Sequence, residues 1–121
     1  EPFDEFQALS VVDAIGMGFS AKEALVLLTD DVLFEKVSIK DHTRKKDLEL
    51  VRARLIGTHG KTKKTIEEIS GSKIDIQGNT VGIIGPAETI QYAITGVTNV
   101  IKGTKQGNVY HYLEKINREK R

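Results

Sequence analysis

The chain has 121 residues, 39% of them hydrophobic and 29% charged, with only two prolines, which is the make-up of a globular domain and not of a disordered tail. It has no cysteine, so disulfide frameworks, thiolate zinc sites, iron-sulfur clusters and cysteine nucleophiles are excluded together, and an intracellular, cytoplasmic protein is expected. Net charge is +1, no apolar run approaches the roughly 20 residues of a membrane helix, and the acidic start Glu1-Pro2-Phe3-Asp4-Glu5 is unlike a signal peptide.

In chain order, Phe6, Ala8, Leu9, Val11, Val12 and Ile15 recur at helical spacing between Asp4 and Gly16 and predict a helix with one buried stripe. Gly16-Met17-Gly18 breaks it. Ser20-Ala21-Lys22-Glu23 then has capping-box spacing and starts a short helix through Leu28, closed by Thr29-Asp30-Asp31. Residues 33–39 alternate, with Leu33, Val37 and Ile39 on one side and Phe34, Lys36 and Ser38 on the other, as a strand does.

A helix follows from about Arg44 to Ile56 with Leu48, Val51 and Leu55 inward, and a second runs from Lys61 to Ser70 with Ile66 and Ile69 inward. Gly71 suits the left-handed cap beyond it. Ile74-Asp75-Ile76 and Val81-Gly82-Ile83-Ile84, joined by Gln77-Gly78-Asn79, predict a hairpin. Pro86 is placed at the start of a long amphipathic helix carrying Ile90, Ile94, Val97 and Ile101 down to Gly103, and a last helix from about Asn108 carries Val109, Tyr112, Leu113 and Ile116. From residue 33 the order is strand, helix, helix, strand, strand, helix, an α+β domain with helices on one face of a small sheet. The first ~30 residues contain two helices and no strand, so they must dock on something else.

Charge is segregated along the chain. Residues 1–35 hold eight acidic groups against the single Lys22, a net of −7, whereas residues 40–64 hold nine basic groups against three acidic ones, a net of +6, and residues 102–121 net +4. The central basic block surrounds Gly57-Thr58-His59-Gly60, where two helices meet. Without a Cβ on Gly57 or Gly60 a phosphodiester chain can come close to the backbone, while the next helix offers free amides and its positive dipole end. Lys61, Lys63 and Lys64 add cations at that end. A nucleotide phosphate loop is excluded although Gly60-Lys61-Thr62 resembles its last residues, because that motif needs a glycine five residues before Gly60 and the chain has Leu55 there, in an apolar helical stripe. His42, His59 and His111 lack metal-ligand spacing, the adjacent Glu67 and Glu68 point apart on a helix, and no nucleophile is set beside a base, so neither metal nor cofactor nor enzymatic activity is expected. Tyr92, Tyr110 and Tyr112 are assigned to packing.

These residues carry a resemblance. Residues 51–71, with Ile56-Gly57-Thr58-His59-Gly60-Lys61-Thr62 at their centre, followed by Lys73-Ile74-Asp75-Ile76 and Val81-Gly82-Ile83-Ile84-Gly85, resemble a KH domain of the eukaryotic (type I) topology, and the similarity runs over about 33–103. The long first KH helix and the upstream Ala14-Ile15-Gly16-Met17-Gly18-Phe19-Ser20 are similar to the two-KH proteins of small-subunit ribosome assembly, the partner-of-Nob-one family in its archaeal form. The resemblance implies a three-stranded antiparallel sheet and single-stranded RNA held by the turn, near the 3′ end of small-subunit rRNA. It also implies contacts with the α subunit of translation initiation factor two and with an rRNA-processing endonuclease. Residues 1–31 would be the C-terminal helices of a truncated first KH-like domain, 32–104 the KH domain, and 105–121 a C-terminal helix and basic tail. The residues expected to meet RNA are Arg52, Ile56, Gly57, Thr58, His59, Gly60, Lys61, Thr62, Lys63, Lys64, Ile74, Ile76 and Gln77. Thr58 and His59 stand where the family usually has Lys or Arg, and a protein-interaction scaffold with a weakened KH groove is the alternative.

Overall fold

The structure is a computed structural model and describes residues 2–29, 31–44, 46–103 and 106–119. Helix α1 spans Pro2–Gly16, α2 Ala21–Leu25 with a 3-10 turn over Val26–Leu28, and strand β1 Val32–Ser38. Then come α3 (Leu48–Ile56), α4 (Lys61–Ser70), β2 (Lys73–Gln77), β3 (Thr80–Pro86), α5 (Ile90–Lys102) and α6 (Gln106–Glu119).

The three strands form one antiparallel sheet in the order β1-β3-β2, with Val37 opposite Val81 and Ile74 opposite Ile83. Helices α3 to α6 cover one face. Ile39, Val51, Leu55, Ile66, Ile83, Val97, Val100, Ile101 and Leu113 close the main core there. Gly96 in the middle of α5 is buried between α6 and α4, where a Cβ would be in ordinary van der Waals contact, 3.6 Å from Leu113 and 3.8 Å from Ile66.

The opposite face of the sheet is covered by the N-terminal segment. Ala14, Met17, Phe19, Ala24 and Leu27 pack with Ile84 in a second core, joined by Val11, Val32 and Phe34. Phe19 and Phe34 meet edge to face with centroids 6.1 Å apart. Gly82 lies beneath this pair; a Cβ on it would be 3.0 Å from Phe19 and 3.2 Å from Phe34, so the central strand is bare where the outer layer presses on it. Having a cover on both faces, β3 is buried at every position from Val81 to Gly85 and reads as a continuous apolar run instead of an alternating one.

Several expectations change. Most of the stripe on α1 is not buried: Phe6, Leu9 and Val12 are 66%, 69% and 68% exposed, and the helix packs inward with Val11, one member of that stripe, and with Ala14. Lys36 Nζ to Asp13 Oδ2 at 2.8 Å ties α1 to β1, and Gln7 Nε2 donates to Leu28 O at 3.1 Å within the N-terminal segment. The helix expected from Arg44 begins at Leu48, because Asp47 caps it by accepting the Leu50 amide. Pro86 ends β3 and does not open α5, which starts after Thr89; the Thr89 hydroxyl donates instead to Ser70 O. The side chains of Val109, Tyr110 and Ile116 and all of residues 104–105 and 120–121 lie outside the described residues.

Candidate nucleic-acid interface

Helix α3 ends at Ile56 and the chain turns through Gly57–Gly60 into α4. The two glycines do different work. Gly57 has φ 79 and ψ 170, a conformation closed to side chains, and a Cβ there would lie 2.7 Å from the Thr62 amide nitrogen. It lets Thr62, only 2% exposed, fill the inside of the bend. Gly60 is left-handed (φ 73, ψ 13) with no atom within 4 Å of where a Cβ would stand, so its outer side is open to a ligand.

Backbone bonds account for part of the turn: the Gly57 amide donates to Ala53 O at 2.8 Å, Gly60 to Gly57 O at 3.0 Å, and Lys61 to Thr58 O. Among the described residues the Thr58 and His59 amides have no acceptor, and both residues are exposed. His59 is also left-handed, at φ 55, the one non-glycine with positive φ among the described residues. Exposed Lys61 and Lys64 flank these amides at the α4 N-terminus. A bend with free donors, an open glycine and ammonium groups is suited to a phosphate.

From Gly60 a cleft of about 550 Å3 runs along α4 to the start of β2, lined by Lys63, Lys64, Glu67, Glu68, Gly71, Ser72 and Lys73. Lys63 Nζ lies 3.7 Å from Glu67 Oε2, and that oxygen accepts the Ile74 amide at 2.8 Å. The cleft ends at Lys73, the first residue of β2, which lies at the edge of the three-stranded sheet. From the other layer Glu23 feels the charge of Lys63 and Lys73. Its carboxyl is held below the ordinary glutamate range first by the Ser20 amide, which donates to it at 3.0 Å; the Ser20 hydroxyl, Lys73 and Lys63 act in the same direction, and burial opposes them.

Of the residues expected from sequence, Gly57, Thr58, His59, Gly60, Lys61, Lys63 and Lys64 come together at the turn and cleft, with Thr62 inside the bend. Ile56, 42% exposed, puts an apolar side chain beside the turn, whereas Ile74 is buried and Ile76 partly buried in the main core. Arg52 faces the hairpin: its Nη1 donates to Asn79 Oδ1 at 2.9 Å and Gly78 O at 3.3 Å. Gln77 lies on the outer sheet face against Gly18, where a Cβ would come 2.7 Å from Gln77 Nε2. Glu67, Lys73 and Glu23 were not anticipated. The only sequence signal for Glu67 was its place one helical turn after Lys63, and Glu23 was visible only as a cap.

A family model described as eukaryotic-type KH domain (KH-domain type I) matches residues 33–118. The chain belongs to this family. Within it the similar proteins are of the PNO1 kind. A KH domain-containing protein of Methanocaldococcus jannaschii is 32% identical over 116 residues, 95% of this chain and 51% of the relative. RNA-binding protein pno1 of Ixodes scapularis is 32% identical over 96% of this chain and 51% of its own length. The chain thus spans about half the length of the curated relatives it matches. Crystallised Dim2p of Pyrococcus horikoshii superposes with a TM-score of 0.88 at 37% identity, covering 95% of this chain and 68% of that one. The aDim2p chain from a complex with a/eIF2alpha and rRNA of the same organism reaches 0.91 at 36%, covering 98% and 66%.

Proposed function

We propose that this protein is a non-catalytic, cytoplasmic RNA-binding module that holds a short single strand of small-subunit rRNA, near its 3′ end, by the Gly57–Gly60 turn during ribosome assembly. The observation that carries the proposal is the open outer side of Gly60 next to the unpaired Thr58 and His59 amides, flanked by exposed Lys61 and Lys64. It is supported by relatives bearing the names RNA-binding protein and pre-rRNA-processing protein, and by the likeness to a chain crystallised with rRNA and a/eIF2alpha. The α subunit of initiation factor two is accordingly a proposed partner, and an rRNA-processing endonuclease another. Among the described residues no helix is long and apolar enough to cross a membrane.

Binding by a few phosphates has a measurable signature. With ~3 phosphates neutralised, log affinity against log salt should fall with a slope near −2, at about −0.7 per contact on a single strand. Replacing both Thr58 and His59 by Asp should abolish binding while leaving the circular dichroism and unfolding midpoint unchanged, because both side chains are exposed. A double variant that still binds normally would place the site elsewhere.

A scaffold role has its own observation in favour: Phe6, Leu9, Val12, Leu25 and Leu28 form exposed apolar surface on the N-terminal helices. The proposal that residues 1–31 are the end of a preceding KH-like domain accounts for the same surface. Recovery of partners from nuclease-treated extract separates the roles, since a scaffold keeps them and an RNA-tethered module loses them.

A further inference from the structure

The two basic segments of the sequence, residues 40–64 and 102–121, meet at a place away from the glycine turn. A second cleft, of about 310 Å3, is lined there by Lys40, Asp41, His42, Thr43, Arg44 and Lys102. Its frame is fixed by the main core. Ile39 and Ile101, the chain neighbours of Lys40 and Lys102, are both 0% exposed; the Ile39 amide donates to Asn79 O at 2.8 Å, and the His42 amide closes the 3-10 turn over Lys40–His42 on Ile39 O at 3.1 Å. Lys40, Arg44 and Lys102 are exposed, and among the described residues none of them forms an ion pair, whereas Lys36 is held by Asp13 and Lys63 by Glu67. Cations beside a helix C-terminus have an ordinary structural use, since the last carbonyls of α5 carry about half a negative charge. That use is exceeded here: three permanent cations against Asp41 and that half charge leave a surplus of about +1.5 in one cleft.

We infer that this second cleft binds phosphates of the RNA backbone outside the segment clamped by the Gly57–Gly60 turn, so that one strand is held at both ends of α3; the inference rests on the RNA reading of that turn. The chain enters α3 from the cleft side and leaves it at the turn, and nine helical residues at ~1.5 Å each separate the two by about 13 Å, the length of the helix. The roughly four nucleotides that a KH turn clamps stop short of the cleft, and about four more at the stacked spacing of ~3.4 Å reach it. Arg44 offers a phosphate two parallel N–H donors, and Lys40 and Lys102 act as point charges beside it. No aromatic or apolar residue lines the cleft, so it answers to backbone charge and not to bases. An acidic protein surface is the rival occupant. RNA is favoured because Lys40 and Arg44 belong to the same basic block that flanks the turn.

The test measures affinity of the whole chain for fluorescent homopentamers of the four ribonucleotides, the tightest of which is then extended at its 5′ or its 3′ end by seven abasic ribose phosphates. The extension adds phosphates and no bases. One of the two extended oligomers is expected to bind roughly tenfold tighter than the pentamer, with a log-log salt slope steeper by about 1.4 for two further contacts at about 0.7 each. A variant carrying Lys40→Gln, Arg44→Gln and Lys102→Gln should bind the pentamer within about twofold of wild type and lose both the gain and the added slope. Lys40→Arg with Lys102→Arg should keep both. The wild-type gain and slope are read without any variant, so they decide the inference even if the triple Gln substitution unfolds the chain. Pentamers that bind while neither extension helps overturn the inference, leave the RNA reading standing and leave the cleft to an acidic protein. A folded triple Gln variant that keeps the gain, or that loses the pentamer as strongly as the extended oligomer, overturns the inference as well. No binding to any oligomer overturns the RNA reading, and the inference with it.

Discussion

Gly57 and Gly60 look equivalent in sequence and are not equivalent in space. Gly57 combines positive φ with Thr62 packed against the position of its missing Cβ, while Gly60 needs only the left-handed conformation. Gly57→Ala is therefore expected to cost about 3 kcal/mol, from strain at a glycine-only conformation together with a clash against backbone. Gly60→Ala should cost about 1 kcal/mol, the left-handed penalty of an L residue, and should act mainly on RNA affinity by filling the open side. Urea unfolding of both variants checks the order; equal costs would mean that the two bends are alike. The spacing of these glycines and the lysines after them was legible because a bend between helices is a local event. Glu67 was not: its importance comes from the Ile74 amide, seven residues on, being left without a strand partner, and only the strand order decides that.

Among the elements, α2 was the most readable. Ser20 and Glu23 make both bonds of the capping box, at 3.1 Å from the Glu23 amide to the Ser20 hydroxyl and 3.0 Å from the Ser20 amide to the Glu23 carboxylate. Ser20→Ala should cost about 1 kcal/mol at neutral pH. Because the Glu23 carboxyl titrates below its ordinary value of 4.5 in the folded chain, its contribution is complete above that value and is lost as pH falls through the lower, folded one. Glu23→Gln should accordingly destabilise the protein at neutral pH and have no effect in acid below the glutamate range, as urea midpoints across pH would show. Helix α1 was readable as a helix and unreadable as to its buried face. Periodicity locates an apolar stripe but not what it packs on, and here the Val11 and Ala14 side joins the second core while most of the stripe stays exposed. Strand β3 and Pro86 show the same limit: proline suits a strand end as well as a helix start, and the paired Val32 opposite it settles the matter.

At the scale of the molecule, one sheet is held between a four-helix layer and the N-terminal segment, and the two covers make different demands. Phe19 lies in the outer core over Gly82 with Phe34, so Phe19→Ala should cost about 3–5 kcal/mol even though it is outside the matched KH segment. Leu9→Ser, on the exposed stripe, should change stability by no more than about 0.5 kcal/mol. Thermal unfolding of the two variants tests the layer assignment; a large loss for Leu9→Ser would show that α1 packs with its other side inward. The same layering brings Glu23 of α2 to Lys63 and Lys73, tying the N-terminal segment to the cleft electrostatically.

The order of helices and strands, the helix-turn-helix bend at Gly57–Gly60, the capping box and the basic block around them were set by the sequence alone, since each depends on spacing within a few residues and on backbone geometry that only certain side chains permit. Which face of α1 is inward, why Gly82 is bare, and why the Ile74 amide is left to Glu67 were decided by tertiary structure, because each is a property of two surfaces in contact. Burial and hydrogen-bond saturation belong to pairs of elements brought together across the chain, and no periodicity within one element contains its partner.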